Sequence, residues 1–270
     1  MQIGSRFDLA VRSVVSALVI LALSPSVGAQ DTGAMVEWPA FGNGPDNTKY
    51  SALDQIDRSN FQELQVAWEW ESPSTAVVEA NPAVKPGQFK PVPIMLDGVV
   101  FVATEVAQAA AIDAATGETL WTYDPESWRA GRPANIGFQH RGVVSWQGTV
   151  ADGEREREET RIFLATHDRR LIALDARTGE PIGGFGEGGE VDLLADRGEA
   201  DFGRRVNPRA ITHSSPPAVV GDTVVVGSVV SDGAIRQAAP PGHIRGYDVR
   251  TGELKWIFHT IPQEGEFGVD

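Results

Sequence analysis

The apolar positions of this chain fall in short bursts dense in Val, Ile, Leu and aromatic side chains, each closed by Gly, Pro or Asp. Runs of that length between turn formers read as β-strands. They are predicted at Val66–Trp70, Val99–Thr104, Ala109–Ile112, Thr119–Tyr123, Val143–Trp146, Ile162–Ala165, Leu171–Leu174, Thr223–Ser228, Ile244–Tyr247 and Leu254–His259. No stretch carries the spacing of an amphipathic helix of any length. The bursts also recur in a fixed order. A turn (Asp97-Gly98, Asp168 or Gly221-Asp222) opens each unit, an outgoing and a return strand follow, and then comes Asp-x-x-Thr-Gly-Glu before a final strand. That phrase occurs three times, beginning at Asp113, Asp175 and Asp248. Self-similarity of this kind marks stacked units, none of which buries its apolar face alone.

Within the repeated phrase the Asp carboxylate can accept bonds from nearby backbone N–H groups, and Gly supplies the positive φ that closes the turn. These three aspartates are therefore read as turn builders and not as catalysts. Trp121 and Trp256 recur at one place beyond their Asp, where the middle copy has Gly183. Packing between adjacent units accounts for such a ring; cofactor stacking is the alternative. Repeats this long, built of short strands, suit propeller blades better than a solenoid.

Composition narrows the classes. The 270 residues are 41% hydrophobic, enough for a core, and the net charge of −14 argues against a nucleic-acid partner. There are no cysteines, which excludes disulfides, thiolate metal sites, Cys nucleophiles and covalent Cys-x-x-Cys-His haem attachment. At the N-terminus Arg6 and Arg12 precede an apolar stretch from Val14 to Leu23, then Pro25 and Ser26-Val27-Gly28-Ala29. This reads as a secretory signal over residues 1–29 with cleavage after Ala29; an uncleaved anchor is the alternative. Its apolar core of about ten residues is short of the roughly twenty that span a bilayer, and no later segment is long enough to cross one. Residues 30–36 read as a leader. The run from Asp152 to Glu159 reads as a solvated hairpin insertion. Gly184-Phe185-Gly186-Glu187-Gly188-Gly189 matches Gly-x-Gly-x-x-Gly, but no helix follows and its flanks are acidic, so it reads as a loop and not as a dinucleotide site.

The segment from Glu37 to Asn43, Tyr50-Ser51, and Ile56 to Leu64 resembles the opening motif of the bacterial quinoprotein dehydrogenases, enzymes that use pyrroloquinoline quinone (PQQ). Where that motif has Asn-x-x-Asn-Val, this chain has Asp57-Arg58-Ser59-Asn60-Phe61. The Ala-x-Asp-x-x-Thr-Gly-x-x-x-Trp repeats resemble the tryptophan docking motifs of that family's eight-bladed propeller. Phe138 to Val143, Ser215-Pro216-Pro217, Ile244 to Asp248 and Phe258 to Pro262 resemble its glucose-dehydrogenase-like branch. The resemblance implies an all-β fold in which residues 37–270 supply three to four blades of an eight-bladed β-propeller. Family members run to more than twice this length, so the chain resembles an N-terminal portion. The family's catalytic carboxylate, lysine and stacking tryptophan are expected beyond Asp270.

The resemblance also assigns site residues. Arg141 matches the family's cofactor-contacting arginine, and its planar fork suits carboxylate or quinone oxygens; the alternative is an ion pair with a surface acid. Ser214 falls where the family places a hydroxyl on the cofactor. His140 is expected to line the pocket or to serve as a structural histidine. Lys90 stands where alcohol-oxidising relatives have Glu, and would pair with a PQQ carboxylate or be solvated. Asp232 matches an acidic ligand for Ca²⁺ or Mg²⁺, although Gly233 replaces the Asn that often follows; a plain turn Asp is the alternative. His167, His243 and His259 have no metal-ligand spacing and receive no role. The vicinal Cys-Cys pair of the methanol- and ethanol-oxidising branches is missing before Arg141, which tilts the implied substrate toward a sugar or polyol. The implied activity is oxidation of an alcohol group of a small sugar or alcohol in the periplasm, with electrons leaving to an external acceptor, ubiquinone or a cytochrome. A non-catalytic exported propeller that binds another protein is the alternative of a different class.

Overall fold

Two apolar runs explain the middle of the molecule. Ile162-Phe163-Leu164-Ala165 and Leu171-Ile172-Ala173-Leu174 are apolar at every position, and side chains on a strand alternate between faces, so a sheet containing both must be covered on both sides. The structure, a computed structural model, meets that requirement; it describes residues 36–44, 46–133, 136–153, 155–195, 210–229, 242–262 and 264–269. Three four-stranded antiparallel sheets stand in sequence order. The first holds β1 (Ile94–Leu96), β2 (Val99–Ala103), β3 (Ala109–Asp113) and β4 (Thr119–Tyr123). The second holds β5 (Val144–Asp152), β6 (Arg155–Ala165), β7 (Arg170–Asp175) and β8 (Glu190–Asp192). The third holds β9 (Ala218–Val220), β10 (Thr223–Gly227), β11 (Ile244–Asp248) and β12 (Leu254–Phe258).

Within each sheet the strands run in the order of the chain. On one face of the middle sheet Ile162, Leu164, Ile172 and Leu174 pack with Ile94, Phe101 and Ala111 of the first sheet. On the other face Phe163, Leu171 and Ala173 pack with Val224, Val226 and Tyr247 of the third. Period-two alternation thus divides one strand between two cores, as stacked sheets require. The first strands β5 and β9 touch, while the Trp-bearing last strands lie on the opposite rim.

The repeated phrase does what its chemistry predicts. Asp113 Oδ1 accepts from the backbone N–H groups of Ala115 and Thr116 at 3.0 and 2.8 Å and from the Thr116 hydroxyl at 2.8 Å. Asp175 and Asp248 repeat that pattern. These bonds to Thr116 and Ala115 hold the Asp113 carboxyl below the usual range, the Thr116 hydroxyl first among them. The turns also receive rings. The indole of Trp121 donates to Ala176 O at 2.9 Å, and a Cβ built on Gly179 (φ +74°) would lie 2.5 Å from that ring. Trp68 stands in the same relation to the first turn, donating to Ala114 O at 3.0 Å over Gly117. Trp121 is therefore the inter-unit packing residue expected of it.

Three expectations need correction. Val66–Trp70 is not a strand: no neighbouring strand pairs with it among the described residues, and it is held instead through the indoles of Trp68 and Trp70. Asp168 does not open the middle unit; its turn joins β6 to β7, and Asp152-Gly153 opens the sheet between β5 and β6. Among the described residues there is one α-helix, Ser74–Ala80, too short to show an apolar stripe. The expected acidic-basic insertion is a solvated hairpin, exposed from Arg155 to Glu158, except at its end, where Glu159 is buried and paired with Arg161 at 2.6 Å. The glycine-rich run is a loop, as expected, with Phe185 fully buried against Phe163. Among the described residues no helix is long and apolar enough to cross a membrane. The expected signal and leader lie in residues outside the described set, apart from Val36.

Candidate functional site

The strip Phe138–Gly142 is bordered on several sides. Gly87 N–H donates to Phe138 O at 2.7 Å and Val92 N–H to Arg141 O at 2.8 Å, so the chain around Lys90 runs beside it. A Cβ on Gly142 (φ +141°) would meet Val92 O at 2.8 Å, which is why the strip needs glycine there. The third sheet approaches through Arg141 N–H, which donates to Ser214 O at 2.8 Å.

His140 is the internal clamp of this strip. Its Nδ1 accepts from Gly142 N–H at 3.2 Å and its Nε2 reaches Ala165 O at 2.8 Å, so the backbone partners fix the tautomer with the proton on Nε2. Burial pushes the imidazole down to about 3, with a smaller push from His167 and Arg141, while the bond to Ala165 O opposes them. It is neutral, wholly enclosed and occupied at both nitrogens. This geometry matches the structural alternative for His140 and leaves no ring atom open to a ligand.

Arg141 is different: its backbone is pinned and its side chain is exposed. Nη1 lies 3.2 Å from the hydroxyl of the buried Ser214 and 3.5 Å, the outer limit of a hydrogen bond, from that of Ser215. No acid pairs with it among the described residues, so the ion-pair alternative is not realised there. A guanidinium that makes only two long contacts to hydroxyls keeps most of its N–H fork for an anion. Ser214, accepting from Arg141, has its own O–H left to donate. The structure thus joins two predicted residues from distant parts of the chain. Lys90 lies on the bordering segment, exposed and without an acidic partner among the described residues. Asp232 lies outside the described residues.

Beyond Gly142 and Ser215 the two chains diverge around a groove of about 770 Å³, lined by Val143–Gln147, Pro216–Gly221 and the loop from Pro39. Its volume and largely apolar walls suit a small-molecule ligand. A planar tricarboxylate needs cations and hydroxyl donors at its rim, and Arg141 with Ser214 supplies one such set. The donor set therefore fits PQQ. Ser215 entered the sequence reading only as part of a family motif, and the groove not at all, because the contact and the cavity depend on how β9 stands against β5.

Comparison with known proteins agrees. Residues 38–269 match the family "PQQ: Glucose/ethanol/alcohol dehydrogenase, beta-propeller domain". Quinoprotein glucose dehydrogenase A of Acinetobacter calcoaceticus is 31% identical over 237 residues, spanning 83% of this chain and 28% of that protein. Quinohemoprotein alcohol dehydrogenase of Comamonas testosteroni is 31% identical over 227 residues, spanning 84% of this chain and 26% of that protein. The crystal structure of the Comamonas enzyme superposes with a TM-score of 0.60 at 26% identity, over 84% of this chain and 28% of that one. The chain spans under a third of the length of these relatives, and the three sheets correspond to part of their propeller. By sequence and by fold, this chain belongs to the PQQ-dependent glucose and alcohol dehydrogenase family.

Proposed function

We propose that this chain forms one wall of a PQQ site in an exported, periplasmic dehydrogenase that oxidises an alcohol group of a sugar or polyol. The observation that carries the reading is the meeting of Arg141 and Ser214 on a hydrogen-bonded strip, with no acid among the described residues spending the guanidinium. In this reading Arg141 grips a carboxylate or quinone oxygen of PQQ, Ser214 donates to the same edge, and Lys90 adds positive charge nearby. Asp232 contributes to a site for Ca²⁺ or Mg²⁺. His140 acts indirectly, keeping the strip that carries Arg141 dry and straight. Bound PQQ supplies the two-electron acceptor. The substrate proton passes to a carboxylate outside this chain, and the electrons leave to ubiquinone or a cytochrome.

The relatives' names cover both glucose and alcohol dehydrogenases. The absence of adjacent cysteines before Arg141 favours the sugar branch. The test is reconstitution of the gene product with PQQ and Ca²⁺ or Mg²⁺, following dye reduction with glucose, polyols and simple alcohols. Turnover with a sugar or polyol that depends on both additions is expected. No turnover with any of these substrates removes the assignment.

A further inference from the structure

His167 received no role from its sequence, yet it lines a small, partly open cavity of about 80 Å³ together with Ser127, Gly131, Arg132, Arg169 and Thr212. The cavity lies two residues back from the Arg141–Ser214 contact along both chains, on the side of Gln139 and Thr212. Three of its walls have definite hydrogen-bonding character. His167 Nε2 lies 3.0 Å from Gln139 O, and a carbonyl only accepts, so the ring proton is on Nε2 and Nδ1 presents a lone pair. That Nδ1 is buried with no partner, and burial, the largest influence on it, holds the ring neutral. Thr212 Oγ1 is likewise buried without a partner, in a residue only 1% exposed. Ser127 donates to Val106 O at 3.1 Å and keeps its own lone pairs.

Two unmet polar atoms facing one cavity are costly unless something occupies it. The volume is more than twice one water's share of liquid, about 30 Å³. Among the described residues, the charged ones lining the cavity are two arginines, in a chain whose net charge is −14. The neighbouring carboxylate, Asp168, is already engaged by Arg170 at 2.8 Å.

We propose that this cavity binds a small oxyanion bearing its own hydroxyl, of the size and chemistry of hydrogen phosphate. The Thr212 hydroxyl donates to an anionic oxygen and the Arg132 guanidinium balances charge. The anion's O–H donates to His167 Nδ1. The site is separate from the Arg141–Ser214 crevice, and its test needs no PQQ.

The test is calorimetric titration of the protein near pH 7.5 with sodium phosphate and with sodium sulfate at matched ionic strength. Sulfate has similar size and charge but no O–H. Saturable phosphate binding is expected, with sulfate weaker by about tenfold or more, the worth of one hydrogen bond to a charged partner. Thr212→Val should weaken phosphate by a similar factor, and Thr212→Ser should restore it. No saturable heat with phosphate would mean that the cavity holds only water and would overturn the proposal. Equal affinity for sulfate, or no response to Thr212→Val, would overturn it as well. A repeat with PQQ present should give the same phosphate affinity; competition would make the cavity part of the quinone site and overturn its independence.

Discussion

The two junctions between sheets solve one geometric problem with different residues. At the first, the Trp121 ring covers the Gly179 turn and its N–H donates to Ala176 O, so one side chain fills the space and satisfies the carbonyl. At the second, the middle repeat has Gly183 where the ring would begin, and the two tasks are divided. The glycine-rich loop covers the Gly252 turn, with Gly186 and the Val191 side chain close to where a Cβ on Gly252 would stand. Gly186 N–H also donates to Thr251 O at 2.8 Å. The carbonyl task falls to Arg161, whose Nη1 donates to Val249 O at 2.9 Å and Arg250 O at 2.7 Å. Val249 follows its Asp just as Ala114 and Ala176 follow theirs. The repeat therefore requires a cover over glycine and a donor to one carbonyl, and an indole is one of two ways to provide both.

Removing the donor at the second junction should have the largest effect. Arg161→Ala leaves the buried Glu159 carboxylate with only the half-exposed Arg157 at 2.7 Å and strands two carbonyls, and should lower stability by about 4 kcal/mol in urea unfolding. Arg161→Met combined with Glu159→Leu should recover much of that loss, since neither charge is then left unpaired. A double variant as unstable as the single one would mean that the carbonyl bonds, and not the ion pair, dominate.

At the first junction, Gly179→Ala puts a Cβ against the Trp121 ring and forces an alanine to φ +74°. A loss of about 2 to 3 kcal/mol is expected by the same assay. Gly183→Ala, where nothing lies within 4 Å, should change stability by about 0.5 kcal/mol or less. Equal effects at the two glycines would remove the distinction between covered and open positions. Smaller again than Gly179→Ala is Trp121→Phe, which keeps a ring and loses one donor. About 1 kcal/mol is expected, and a null result would make Trp121 a filler only.

The comparison also marks what could be read from the chain. The Asp-x-x-Thr-Gly turns and the Trp121 contact were legible because each rests on residues a few positions apart with one physical use. Arg161 was not legible, since its partner carbonyls come from a turn in the next sheet and an Arg in a strand carries no sign of that. Val66–Trp70 had the composition of a strand, but strand character needs a neighbour to pair with. In the site, Arg141 and Ser214 were found through family resemblance, and only the register of the third sheet brings them together. His167 and Thr212 gave no signal at all, because an unmet hydrogen-bonding atom exists only once the fold has closed around it.

The central claim is that the Arg141 guanidinium, steadied by Ser214, is kept for a carboxylate or quinone oxygen of PQQ. Titration of PQQ into the protein with Ca²⁺ present, followed by quenching of intrinsic tryptophan fluorescence, tests it directly. The account predicts that Arg141→Ala raises Kd by about tenfold or more, the worth of a charge-assisted bond, and that Arg141→Lys falls between. Identical Kd values for all three proteins, each with an unchanged circular dichroism spectrum, would contradict it.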